Sequence, residues 1–144
     1  MRVVVQRVKK ASVEVEGNIV GSIDKGLVVL VGFTEGDTND NINYLVNKLI
    51  KLRIFDDENG IMNKSIIDLG FKILSISQFT LYADTSGGNR PSYAKALKSD
   101  EAINLYKLFN EELNKYVDVE EGIFGADMAV NLVNDGPVTI ILER

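Results

Sequence analysis

Apolar and polar positions alternate over residues 2–8 and again over 12–16, the period-two pattern of half-buried strands. Glu16-Gly17-Asn18 reads as a hairpin turn leading into Ile19–Ile23. Gly26–Phe33 is a short continuous apolar run, read as a central strand buried on both faces. After a polar turn at Thr34–Asn39, Ile42, Leu45, Val46, Leu49 and Ile50 recur at helical spacing and form the apolar stripe of an amphipathic helix. Asp56–Gly60 reads as a turn, and Phe71–Ile76 as another strand. Thr85–Ser92, with Gly87, Gly88 and Pro91, predicts a loop. Ser99 is the expected N-cap of a second helix, with Asp100 and Glu101 placed at the positive end of its dipole. Ala102, Leu105, Tyr106, Phe109, Leu113 and Tyr116 mark its expected buried face. Two last strands, roughly 128–134 and 138–143, are joined by a turn at Asn134-Asp135-Gly136-Pro137. This order predicts an α+β fold: a curved or barrel-like, mostly antiparallel sheet flanked by two main helices.

The 144 residues suit one domain spanning 1–144, and a hydrophobic fraction of 45% can supply its core without cross-links. No run of 18 apolar residues occurs, so no membrane-spanning helix is expected. The opening residues lack a signal-peptide pattern and the chain has no cysteine, which together point to a cytoplasmic protein.

Histidine is absent as well. That removes a Ser-His-Asp triad, a Cys-His dyad, thiolate zinc sites and imidazole bases; separately, no metal and no other cofactor is expected. Any catalysis must rest on backbone groups, carboxylates, hydroxyls, lysine or the substrate itself. The net charge of −5 argues against a nucleic-acid partner only until its distribution is considered. Asp100–Glu121 holds seven acids and two lysines, which accounts for the whole excess; the remainder has 14 basic and 14 acidic residues. Three acid-free basic stretches stand out: Arg2, Arg7, Lys9 and Lys10; Lys48, Lys51 and Arg53; and Arg90, Lys95 and Lys98. Each is also compatible with a plain solvated surface, yet a local patch can bind phosphates on an acidic molecule.

Three segments carry candidate chemistry. Ser77-Gln78-Phe79-Thr80-Leu81 places two hydroxyls and an amide at the end of an apolar strand, where they can bind a carbonyl or hold a water. A strand end rich in turn-forming hydroxyls would look the same. Asn134-Asp135-Gly136-Pro137-Val138-Thr139 reads locally as a tight turn, but a proline there removes a donor from the next strand. A cis Gly136-Pro137 bond would present two carbonyls side by side as an acceptor pair. The loop Ala83–Ser92 lets backbone approach a ligand through its glycines, and Arg90 could meet a phosphate; it is not a P-loop, since no Gly-Lys-Ser/Thr follows.

Together, Ser77–Leu81 and Asn134–Thr139 resemble the two signature motifs of the D-aminoacyl-tRNA deacylase (D-tyrosyl-tRNA deacylase) family. The resemblance runs nearly end to end, through Arg2–Ala11, Arg53-Ile54-Phe55, Met62-Asn63, Ala83-Asp84-Thr85, Arg90-Pro91-Ser92 and Phe124-Gly125-Ala126-Asp127-Met128. Ile61 departs from it, where the family more often has lysine, and this removes one charge that could face RNA. Ser77 and Val138 align the chain with the D-specific branch rather than with a sister family of the same fold.

The resemblance implies hydrolysis of D-aminoacyl-tRNA, and by extension of mischarged glycyl-tRNA. It implies a homodimer in which Gly136 and Pro137 of one chain enter the partner's site and act as the chiral selector. There the carbonyls of that segment would accept hydrogen bonds from the substrate's α-amino group, and an L side chain would clash. Ser77, Gln78, Phe79 and Thr80 would form the catalytic segment, with Arg7 and Met128 supporting. The substrate's own 2′-hydroxyl could then supply what histidine does not. Covalent attack by Thr80 is the rival chemistry, and it lacks an evident base. Two other readings stay open: a non-catalytic tRNA-binding or assembly module of the same fold, and an ordinary esterase, which the missing histidine and Gly-x-Ser-x-Gly elbow disfavour.

Overall fold

The computed structural model describes residues 1–144. Its first strand, β1 (Arg2–Val15), is one 14-residue element where two strands were expected. The chain bends instead of breaking. Pairing with a neighbouring strand shifts register at Gln6/Val8 and Val8/Lys10, and Lys9 and Lys10 are exposed there. Before the bend Val3 and Val5 enter one core; after it Ala11 and Val13 join Val8 in a second. Glu16 and Gly17 then turn the chain with φ of 51° and 79°. Left-handed backbone at both central residues matches the twist of the flanking strands in a tight hairpin.

β2 (Asn18–Ile23) pairs antiparallel with the second half of β1, and β3 (Gly26–Gly32) with the first half. β3 is apolar throughout because it serves both cores: Leu27, Val29 and Val31 face the larger, Val28 the smaller. α1 (Asn39–Ile50) follows, with its expected stripe buried in full. A short hairpin of β4 (Phe55–Asp56) and β5 (Met62–Lys64) and one helical turn, α2 (Ile66–Leu69), complete a crossover that the sequence pattern left unassigned. That crossover makes β6 (Lys72–Ser77) parallel to β3. After α3 (Ser99–Asn114), β7 (Val119–Glu121) adds parallel to β6. The sheet is therefore mixed. It curls until β2 lies against β7: a Cβ added at Gly21 would come within 2.9 Å of the Glu121 carbonyl.

The C-terminal region differs from expectation. Instead of two strands folded on each other, β8 (Ala129–Glu143) is one 15-residue strand antiparallel to β1. Arg2 to Gln6 pair with Glu143 to Thr139, and from Val8↔Asn134 the ladder resumes toward Ala129. Asp135–Val138 are looped out opposite Arg7. Asp-Gly chemistry here makes a bulge and not a chain reversal, and Pro137 is tolerated because it lies outside the ladder.

α1 and α3 pack on each other over the larger core. The cap of α3 is Lys98, whose carbonyl accepts the first helical bond from Ala102 at 2.8 Å; Ser99 is the first helical residue, not the N-cap. Its buried face holds Ala102, Tyr106, Phe109, Asn110 and Leu113, with Leu105 partly buried. Tyr116 is 55% exposed, because the helix ends at Asn114 and Val117 takes the inward place. No helix is long and apolar enough to cross a membrane.

This packing yields a direct comparison. Phe109→Ala, at a fully buried position, should cost about 3–5 kcal/mol of stability, whereas Tyr116→Ala should stay within about 0.5 kcal/mol. Urea unfolding measures both.

Candidate active site

The end of β6 opens onto a cavity of about 520 Å³ between the sheet and the start of α3. Ser77, Gln78 and Phe79 line one side, Ser99 and Ala102 another, and Phe124–Met128 a third. Gln78 leaves the strand while its N–H still donates to the Val31 carbonyl at 2.7 Å. Gly32 permits this approach: a Cβ there would lie 2.7 Å from the Gln78 carbonyl oxygen. Phe79–Tyr82 then form a 3-10 turn. Its first internal bond is donated by Leu81 to the Gln78 carbonyl at 3.3 Å, so the N–H groups of Phe79 and Thr80 have no acceptor inside the turn.

The residues named from sequence divide in space. Ser77, Gln78, Phe79 and Met128 come together at the cavity. Thr80 is adjacent but does not line it; its hydroxyl accepts a hydrogen bond from the Gln78 side-chain amide. Arg7, Gly136 and Pro137 do not line the cavity. Phe79 is 56% exposed at the cavity and meets Tyr93 edge-to-face, with ring centroids 5.0 Å apart.

The lining contains one ionisable side chain, Asp127, which is exposed. Nowhere do three His, Cys, Asp or Glu residues gather as metal ligands. The cavity therefore offers hydroxyls, an amide, main-chain groups and apolar surface: it can bind and polarise, but it holds no strong base. Burial pushes the Tyr82 hydroxyl up to about 12, with Asp37 adding to the effect, so it stays neutral. In the adjoining loop, hydrogen bonds from Lys95 and then Ser86 hold the Asp84 carboxyl well below the usual carboxylate range. Asp84 and Ser92 close that loop with paired main-chain bonds of 2.8 and 2.9 Å, leaving Arg90 exposed at its tip.

Behind the cavity lies a polar group that the sequence did not reveal. The Ser75 carbonyl accepts hydrogen bonds from the Tyr106 hydroxyl at 2.9 Å and from the Gly122 N–H at 3.0 Å. One atom thus ties α3 and the Gly122–Met128 wall to β6. Gly122 lets that wall close, since a Cβ would lie 2.6 Å from the Met128 sulfur. Asn110, one turn beyond Tyr106, is buried beside it, and its side-chain amide has no protein partner. Its place on the apolar face of α3 was the one available signal.

Arg7 lies near the middle of β1, at its bend. It is 6% exposed. Its guanidinium donates to the Ile54 carbonyl at 2.7 Å and to the Asp135 carbonyl at 3.3 Å, and approaches the carboxylates of Asp56 and Asp135 at 3.3 and 3.4 Å. Asn134 bridges the bulge by donating to the Arg7 and Val138 carbonyls at 2.9 and 3.1 Å. Between these anchors Gly136 and Pro137 are exposed, joined by a cis peptide bond, a state that the sequence left open. A slightly larger hollow of about 570 Å³ lies among β1, β2 and β8, but it contains none of the motif residues; the chemistry favours the smaller cavity.

A family model described as D-Tyr-tRNA(Tyr) deacylase matches residues 4–143. A solved structure described as c-Myc DNA Unwinding Element Binding Protein is similar with a TM-score of 0.95 at 41% identity, over 100% of this chain and 99% of that one. A second, described as a probable eukaryotic D-amino acid tRNA deacylase, matches with a TM-score of 0.85 at 18% identity, over 98% of this chain and 97% of that one, and speaks to the fold alone.

The anchoring of the bulge can be measured. Arg7→Ala strands the Ile54 and Asp135 carbonyls and should cost about 1–3 kcal/mol in urea unfolding. Arg7→Lys should not restore the loss, because a single ammonium cannot reproduce the fork of guanidinium donors.

Proposed function

Because the chain belongs to the D-Tyr-tRNA(Tyr) deacylase family and is thereby a hydrolase, we propose that it removes D-amino acids, and glycine where misplaced, from tRNA, with each active site completed by a second copy of the chain. The observation that carries this reading is the separation within one chain. The cavity gathers Ser77, Gln78 and Phe79, while Gly136 and Pro137 are displayed, anchored and exposed, away from it. A symmetric dimer would bring each segment to the partner's cavity and produce two identical sites. β8 supports the reading further. It pairs only with β1, and exposes Val133 and Ile141, a long bare edge of the kind that a second chain covers.

In such a site the aminoacyl group lies in the cavity with its ester at the Phe79–Thr80 turn. The two N–H groups that open the turn stabilise the charge developing on the carbonyl oxygen, and the cavity holds the ester in place for water. The neighbouring 2′-hydroxyl of the terminal ribose assists that water. The carbonyls of the partner's Gly136–Pro137 segment accept the substrate's α-amino N–H groups, so that an L side chain is driven into the segment and rejected. Glycine, having no side chain, escapes rejection. Thr80 as a nucleophile has little support, since its hydroxyl is engaged by an amide and no base is bonded to it. The proposed substrate class fits a cytoplasmic location.

A second reading, nucleic-acid binding without catalysis, draws on the name of the 41% identical structure. One time course separates the two. Wild type should release D-tyrosine from D-tyrosyl-tRNA and spare L-tyrosyl-tRNA. Pro137→Ala, which frees the backbone that the ring restrains, should slow the D ester by up to about a hundredfold. Thr80→Ala should remain near normal. Binding of tRNA with no hydrolysis of either ester would favour the second reading. Sedimentation should show a dimer at micromolar concentration; a monomer alone would end the shared-site mechanism.

A further inference from the structure

The second half of α1 and the residues that follow it border an open groove of about 450 Å³, lined by Tyr44, Asn47, Lys48, Lys51, Leu52 and Arg53. The lining contains three cations and no acid. None of the three forms an ion pair, in a chain whose net charge is −5. Arg53 uses Nε on the Asn63 carbonyl at 2.9 Å, which fixes its guanidinium and leaves the remaining donors free. Tyr44 is 47% exposed, and the Arg144 guanidinium sits 4.5 Å above its ring. Cations at a helix C-terminus are stabilised by the dipole, which explains Lys48 and Lys51 in part. It does not explain the exposed aromatic ring or the two arginines beside them.

Tyr44, Lys48 and Lys51 share one helical face and span about 10 Å at 1.5 Å per residue. A nucleic-acid strand carries one phosphate per roughly 3.4 Å of duplex axis, so the stripe is long enough for more than one. Its position also matters. Arg53 is followed by Ile54, whose carbonyl is held by Arg7, the same side chain that anchors Asp135. One edge of the groove is therefore joined, through Ile54 and Arg7, to the bulge that carries the exposed Gly136–Pro137 segment.

We propose that this groove binds the phosphate backbone of the tRNA whose ester lies in the partner's cavity. The proposal rests on the two-chain deacylase reading above and adds a contact that the reaction centre does not need. A short ester, lacking the backbone, would not use it.

The test compares wild type with the double variant Lys48→Gln, Lys51→Gln, two exposed positions where glutamine keeps helix propensity. Each is assayed on D-tyrosyl-tRNA and on D-tyrosyl-adenosine across a salt series. For the tRNA, the variant's KM should rise about tenfold at low salt, kcat should hold, and the slope of log kcat/KM against log salt should flatten by about 1–2. For the adenosine ester the two proteins should match. An unchanged KM and salt slope on tRNA would overturn the groove. So would equal losses on both substrates, which would mean the substitutions act through the cavity or the dimer. Wild type inactive on both esters would instead contradict the deacylase reading itself.

Discussion

A single buried guanidinium sets the geometry on which the rest of the molecule depends. Arg7 lies at the wider of the two interruptions of the long β1/β8 ladder, and its donors reach both the looped-out Asp135 and the Ile54 carbonyl beyond α1. A charge this buried is tolerated only when its donors are matched, and here main-chain oxygens and two partly exposed carboxylates match them. Because the carboxylates keep contact with water, the net gain in stability is modest. What the arrangement secures is position: Asp135 and Asn134 are pinned from below, and Gly136 and Pro137 are held outward between them.

The remainder of the fold builds the cavity, the other half of the proposed site. β3 is buried on both faces and supports β6 in parallel, so the end of β6 is rigid where Ser77 and Gln78 emerge. The Ser75 carbonyl, taking bonds from Tyr106 and Gly122, fixes the helix and the Gly122–Met128 wall around that end. The cavity thus stands on regular elements, while the Gly136–Pro137 segment stands on a bulge at another part of the barrel. Neither half needs a histidine or a metal to be placed, which suits a reaction in which binding and orientation supply most of the rate. The separation of the halves is also what makes a second copy the natural complement.

Much of this was legible in the pattern of side chains. The period-two runs, the uniformly apolar β3 and the stripe of α1 all follow from burial, the strongest signal a sequence carries. Ser77, Gln78 and Phe79 could be found because polar groups closed an apolar strand. The failures have physical causes too. Asp135-Gly136-Pro137 obeys the chemistry of a reversing turn and of a bulge equally, and only the partner strand decides which forms. Ser99 is as good a cap by composition as any, yet the carbonyl of Lys98 accepts the first helical bond. Tyr116 kept the helical spacing after the helix had ended. The parallel pairing of β6 and β7 depends on crossovers, which leave no local trace. Arg7 and Met128 were singled out through resemblance rather than spacing, and for Asn110 only its place on the apolar face of α3 hinted at burial.

The central claim, a site shared between two chains, is tested most directly by mixing subunits. One variant, Phe79→Pro, removes one of the two N–H groups at the ester and keeps the projecting segment; the other, Pro137→Ala, keeps the cavity and loosens the segment. Each alone should be weak on D-tyrosyl-tRNA. After unfolding and joint refolding, half the dimers are hybrids, and each hybrid contains one complete site, so activity should recover to about a quarter of wild type. Activity no greater than the average of the two variants would contradict the account, since it would mean that cavity and segment act within the same chain or not together at all.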